Sequence, residues 1–168
     1  MEKTFQALNE LQAAGLVTRY AIGGAMAAYF FSEAVITEDL DAFVLLAQPA
    51  SALLTLTPIY DFLKARGAME RREHLVVAGT LVQLIPAYDA LTEEAVKEAT
   101  EKRVGQTPTR VMRPEHLIAI ALKTGRAKDH ARVALLLDEA EMDATLLTDI
   151  LQRHQLLDRW NKFKAMQP

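Results

Sequence analysis

Two neighbouring stretches limit what this chain can become more than any others: Tyr20-Ala21-Ile22-Gly23-Gly24-Ala25-Met26-Ala27-Ala28 and Thr37-Glu38-Asp39-Leu40-Asp41-Ala42-Phe43-Val44. An apolar run ends in two glycines, an alanine-rich segment suits a short helix, and a second apolar run opens with two aspartates one residue apart. In an extended strand, residues i and i+2 project from the same face, so Asp39 and Asp41 stand together while Leu40 and Ala42 face the other way. Two carboxylates held side by side repel unless a cation or a shared proton relieves them. A divalent ion with oxygen ligands gives that relief, and Mg²⁺ is bound through one or two carboxylates plus substrate phosphates. Gly23 and Gly24 carry no Cβ, so a ligand can approach the backbone. The helix after them offers N–H groups at the positive end of its dipole. The plainer readings are a solvated strand start and a tight turn without a ligand. Joined in one strand–turn–helix–strand unit, the two motifs favour nucleotide chemistry.

The rest of the chain supplies a scaffold for such a unit. With 168 residues and 51% hydrophobic content, one compact domain with a sizeable core is expected. Apolar positions at Phe5, Leu8, Leu11 and Ala14 predict a helix stopped at Gly15, and Leu16 to Ile22 a strand. Ala25 to Ala34 reads as a helix, and Leu40 to Leu46, apolar on both faces beyond the aspartates, as a central strand covered by helices. Residues 50–66 read as a helix interrupted or restarted at Pro58, and Gly67 ends it. His74 to Val77 and Thr80 to Ile85 form a hairpin around Ala78-Gly79. A helix capped by Thr92 runs to about residue 101. Val104 to Met112 is β-like but carries Pro108, which predicts an edge strand at best. From Pro114 the pattern is helical: one helix to Lys123, a second from Ala127 to about Glu141, a third from Asp143 to about Gln155, and a last amphipathic piece with Trp160 and Phe163. The expected division is residues 1–112 as an α/β core and 113–168 as a helical region packed on it in a single unit.

These residues resemble the nucleotidyltransferase superfamily with the polymerase-β-like fold, whose signature is a strand ending in Gly-Gly or Gly-Ser, a short helix, and Asp-x-Asp or Asp-x-Glu on the next strand. Here fourteen residues, Ala25 to Glu38, separate Gly23-Gly24 from Asp39-Leu40-Asp41, slightly more than usual, and Ala25 replaces the hydroxyl residue often found after the glycines. Thr37-Glu38-Asp39-Leu40-Asp41 is similar to the Ser/Thr-x-Asp-hydrophobic-Asp form of the small bacterial and archaeal branch that includes toxin–antitoxin and abortive-infection nucleotidyltransferases. The same branch carries a Pro-Glu-x-Leu helix, a lysine near its end and Arg-x-Lys-Asp opening the next helix, matched by Pro114 to Asp129. The resemblance spans about residue 16 to about residue 137 and implies a mixed α/β (α+β) sheet flanked by helices, with a C-terminal helical bundle.

The function it implies is transfer of a nucleoside monophosphate from an NTP to a hydroxyl on a protein or RNA. Asp39, Asp41 and Lys123 would serve catalysis, with Asp39 and Asp41 binding Mg²⁺, and Gly23, Gly24, Lys123 and Asp129 would bind the nucleotide, the glycines at its phosphates. Lys123, projecting from an otherwise apolar helix, suits contact with triphosphate or with the aspartates. Asp129 is equally suited to a salt-bridged helix junction with Arg126 and Lys128. Relatives with full catalytic sets carry a third acid on the strand after the hairpin turn. Here Gln83 occupies that place, with Asp89 and Glu73 as the nearby alternatives. Glutamine cannot be a general base, so a nucleotide- or protein-binding regulatory module without turnover is the competing reading. The resemblance also implies a cognate antitoxin-like partner. Trp160 and Phe163 suit either core packing or contact within a homo-oligomer. The net charge of −3 argues against bulk DNA binding, and the lack of a long apolar run against a membrane segment. The expected compartment is the cytoplasm. With no cysteine, thiolate metal sites and disulfides are excluded. His116 and His130 lack a ligand companion at zinc spacing.

Overall fold

The computed structural model describes residues 1–32, 37, 39–47 and 55–166. Among them the strands are β1 (Val17–Ile22), β2 (Asp39–Leu46), β3 (Met69–Arg71), β4 (His74–Val77), β5 (Thr80–Pro86), β6 (Thr100–Val104) and β7 (Thr107–Val111). The helices are α1 (Glu2–Ala13), α2 (Gly24–Tyr29), α3 (Thr57–Lys64), α4 (Ala90–Lys97), α5 (Pro114–Thr124), α6 (Ala127–Glu139), α7 (Ala144–Arg153) and α8 (Leu157–Met166). The strands form one mixed sheet in the order β3-β4-β5-β2-β1-β7-β6, so β2 lies at its centre. That order gives the α/β class expected from the sequence.

Burial follows the pleat. Leu40, Ala42 and Val44 of β2, Val82 and Leu84 of β5, and Leu75 and Val77 of β4 are buried, and Phe5, Leu8 and Leu11 of α1 are fully so. Fully burying an aliphatic or aromatic side chain contributes about 1.5–3 kcal/mol, so this layer supplies much of the stability. β1 runs antiparallel to β2, whereas β5 runs parallel to it.

Several boundaries differ from the sequence expectations. Helix α2 ends at Tyr29, with Phe30 as its C-cap; residues 33 and 34, expected in that helix, lie outside the described residues. Pro58 sits in the first turn of α3, where its missing N–H is harmless, and Leu53 and Leu54 lie outside the described residues. Asp89, not Thr92, caps α4: its Oδ1 accepts from the N–H of Leu91 and of Thr92 at 3.1 Å each. Thr92 is the reciprocal partner in the same box, and α4 stops at Lys97. β6, which begins at Thr100 where the helix was expected to continue, forms a hairpin with β7, and β7 is an internal strand of the sheet. Among the described residues, no helix is long and apolar enough to cross a membrane.

The C-terminal helices are tied to α4 through one carboxylate. Glu94 accepts from His154 Nε2 at 2.9 Å, from Arg153 Nη2 at 2.9 Å and from His116 Nε2 at 3.1 Å. His116 is buried, and its Nδ1 finds no partner among the described residues. Burial pushes the His116 imidazole below its ordinary value, against the pull of Glu94. The unfolded chain gains a proton there at about pH 6.5 while the folded chain resists it, so stability is lost as pH falls through that value toward the lower folded one. The denaturant midpoint should therefore be lower at pH 5.5 than at pH 7.5, and His116→Gln should shrink that difference. Identical pH slopes in the two proteins would contradict the assignment.

Candidate functional site

The site is built where β1 turns into α2 against the start of β2. Gly23 N–H donates to Asp41 O at 2.9 Å, which fixes the glycine turn to the aspartate strand. A Cβ on Gly23 would meet the Phe43 ring at 2.5 Å and Met112 Sδ at 3.2 Å. Gly24 has φ of +59°, and a Cβ there would overlap Asp41 Oδ2. The space the glycines leave open is thus taken by protein atoms, and at Gly24 by the Asp41 carboxylate itself. The turn and Asp41 converge.

A cleft of about 450 Å³ opens beside this contact. Gly24, Asp41 and Gln83 line it together with Asp89, Lys123, Arg126, Asp129 and Arg132, while Phe43, Ile85, Tyr88 and Leu117 give it an apolar side. Asp41 pairs with Gln83 across the parallel β2–β5 ladder, so the amide stands beside the carboxylate on the same face. Asp39 pairs with Leu81 one step outward; it is exposed and is not among the residues lining the cleft. Glu73 lies in the turn between β3 and β4, also away from the cleft walls.

The charges in the cleft are ordered by pairing. Lys123 Nζ lies 3.0 Å from Asp89 Oδ1, joining the end of α5 to the cap of α4. Burial works against the Asp89 charge, but the Thr92 N–H and Lys123 outweigh it and hold its carboxyl below the ordinary value. Asp129, with its side chain 1% exposed, takes Arg126 Nε at 2.7 Å and Arg132 Nη1 at 3.4 Å. Burial again opposes the charge, and the two arginines hold this carboxyl low as well. Asp41 is the exception. Burial raises its pKa, Asp39 raises it further, and Arg132, Lys128 and His74 only partly offset this. Among the described residues, its carboxylate accepts no hydrogen bond. Arg132 was missed in the sequence, although it lies three residues after Asp129 on one helix face, a spacing that pairs opposite charges.

Because Asp129 balances two guanidiniums from a buried position, Asp129→Asn should destabilise the fold by about 1–3 kcal/mol. Urea denaturation reads this directly, and an unchanged midpoint would show the pairing to be energetically idle.

Among the described residues, no group of three or more His, Cys, Asp or Glu side chains is placed to hold a metal ion. The donor set suits a smaller demand. Asp41, without a hydrogen-bond donor among the described residues and raised in pKa beside Asp39, forms with it an acid pair that a single Mg²⁺ would relieve if phosphate oxygens completed its shell.

No family model matches the chain, and no curated protein matches it. Solved structures do. The chain is similar to the solution structure of the antibiotic-resistance factor ANT(2'')-Ia, with a TM-score of 0.51 and 16% identity over 98% of this chain and 97% of that one. It is also similar to an antigenic nucleotidyltransferase-like protein from Paracoccidioides brasiliensis, with a TM-score of 0.55 and 14% identity over 96% and 90% of the two chains. The seven-stranded mixed sheet flanked by helices is therefore a nucleotidyltransferase-like fold.

Proposed function

We propose that the protein transfers a nucleoside monophosphate from an NTP to a hydroxyl group. The observation that carries this reading is the meeting of Gly24 with the half-buried Asp41 carboxylate at the edge of a cleft walled by Lys123, Arg126 and Arg132. A chain keeps an acid at raised pKa, without a donor and beside a second acid, at a cost to its own stability; catalytic sites hold such groups. In this reading Asp39 and Asp41 would hold Mg²⁺, which would supply positive charge against the charge that develops during transfer. The cationic side chains of the cleft receive the triphosphate, with Lys123 moving from Asp89 to phosphate as the nucleotide enters. Asp129 keeps Arg126 and Arg132 in place. The apolar side around Phe43, Ile85 and Tyr88 accepts the base.

The acceptor is a hydroxyl of a protein or an RNA. A role as the toxin-like member of a two-gene pair, acting in the cytoplasm against an antitoxin-like partner, follows from the motif resemblance alone. The second reading is a nucleotide-binding module without turnover, favoured by Gln83 beside Asp41 where an acid would complete the set. Incubation with α-labelled NTPs and Mg²⁺, with an Asp39→Asn/Asp41→Asn control, separates the two. Label transferred by the wild type and lost in the control supports the enzyme. Mg²⁺-dependent nucleotide binding without transfer supports the module.

A further inference from the structure

Transfer to a hydroxyl needs a group that takes up its proton, and a glutamine amide has no basic site for this at neutral pH. Asp89 is engaged as the cap of α4, its Oδ1 accepting from the N–H of Leu91 and of Thr92, and Asp129 by the two arginines. The sheet register leads one strand further out. Asp41 is opposite Gln83 on β5. Leu75 of β4 is opposite Val82, so the next step of that antiparallel ladder sets His74 opposite Gln83. Arg71 of β3 is opposite His74. One row across four strands therefore reads Asp41, Gln83, His74, Arg71. The burial alternation agrees: Leu40, Val82, Leu75 and Val77 turn into the core, while Asp41, Gln83 and His74 are half-buried on the opposite face.

His74 also lines a second depression of about 310 Å³ with Arg71, Arg72, Glu73 and Leu81. Leu81 is the register partner of Asp39, so this depression adjoins the acid pair beyond Gln83. Among the described residues, His74, Arg71 and Arg72 have no ion-pair partner. Arg72 holds φ of +56° in the turn, a backbone conformation that glycine or asparagine takes at lower cost. The charged groups facing His74 are Arg71 on β3, Arg72 and Glu73 in the turn, and Asp41 across Gln83 on β2.

We infer that His74 is the general base of the transfer, receiving the proton of an acceptor hydroxyl that enters through this depression. The acceptor oxygen forms a bond to the α-phosphorus, and the bond from that phosphorus to the bridging oxygen of the β-phosphate breaks. The electron pair leaves with pyrophosphate, and the hydroxyl proton passes to the imidazole and then to solvent. The assignment rests on the nucleotide-transfer reading above.

Water, the smallest hydroxyl, is the probe. Release of NMP and pyrophosphate from α-labelled NTPs with Mg²⁺ is measured in wild type, His74→Ala and the Asp41→Asn control, from pH 5.5 to 8.5. A positioned base is worth roughly 10²–10⁴-fold, so His74→Ala should lose at least about 10²-fold. It should also lose the wild-type pH dependence of the rate, and added imidazole should restore part of the activity. The Tm rise on adding Mg²⁺ and a non-hydrolysable NTP should be unchanged in His74→Ala, which shows that the site still folds and binds. A variant with the wild-type rate and pH profile, or a loss that imidazole does not mend, overturns the base assignment and leaves the transfer reading standing. A wild type no more active than Asp41→Asn overturns both.

Discussion

Asp41→Asn should abolish nucleotide transfer and make the folded protein melt at a higher temperature. Burial and the neighbouring Asp39 raise the Asp41 pKa, and Arg132, Lys128 and His74 compensate incompletely. A raised carboxyl pKa means that the folded state holds the proton more tightly than the unfolded chain, so the ionised form opposes folding at neutral pH. This opposition fades as pH falls toward the raised value. Asparagine keeps the shape and removes the charge. A gain of about 1 kcal/mol corresponds to roughly 2–4 °C in a chain of this size, which is the expected rise. Transfer should fall by at least about 10²-fold, as when one preorganised electrostatic group is taken from a reacting centre. Thermal melting at neutral pH checks the stability half, and the gap between the two proteins should narrow as pH is lowered toward the raised value. A variant that melts lower than wild type would mean that Asp41 is a structural acid.

The second large effect is expected at Gly24. An alanine there must keep a left-handed backbone, which costs roughly 1–2 kcal/mol, and its Cβ would displace the Asp41 carboxylate. Because a misplacement of about 1 Å at a reacting centre can cost about 10²-fold, Gly24→Ala should lower transfer by that order while the chain still folds. The two halves separate in a double-mutant cycle. In an Asp41→Ala background the overlap is gone, so Gly24→Ala should cost only the backbone part. If its cost is the same in both backgrounds, the carboxylate does not occupy the space at Gly24.

How much of this could be read before folding depends on the element. The central strand was legible because Leu40, Ala42 and Val44 alternate with the aspartates, and alternation is a local property. The place of Gln83 was legible only through the resemblance, which sets an acid on that strand; the turn at Ala78 and Gly79, both at positive φ, fixes the register of β5 on β4, and the parallel pairing with Asp41 comes from the sheet. β7 was not legible, since Pro108 reads as a break. The structure tolerates it because β7 meets β1 only at Val111 and Ile22. Near Pro108 the flank is α1 instead, and Asn9 Nδ2 donates to the Pro108 carbonyl at 2.9 Å. The glycine pair was read as room for a ligand, whereas the side-chain space at both positions belongs to Phe43 and Asp41. That distinction rests on a contact between separate elements, which no local pattern reports. The same holds for Lys123, whose partner Asp89 is brought to it only by the packing of α4 against α5.

Calorimetric titration of the protein with a non-hydrolysable NTP, with and without Mg²⁺, tests the central claim most directly. One nucleotide should bind per chain only with Mg²⁺ present, and Asp39→Asn/Asp41→Asn should remove that heat while remaining folded. Binding that ignores both Mg²⁺ and the double substitution, or no binding to the wild type at all, would contradict a cleft in which the acid pair and the cationic side chains beside it hold a metal-bound triphosphate.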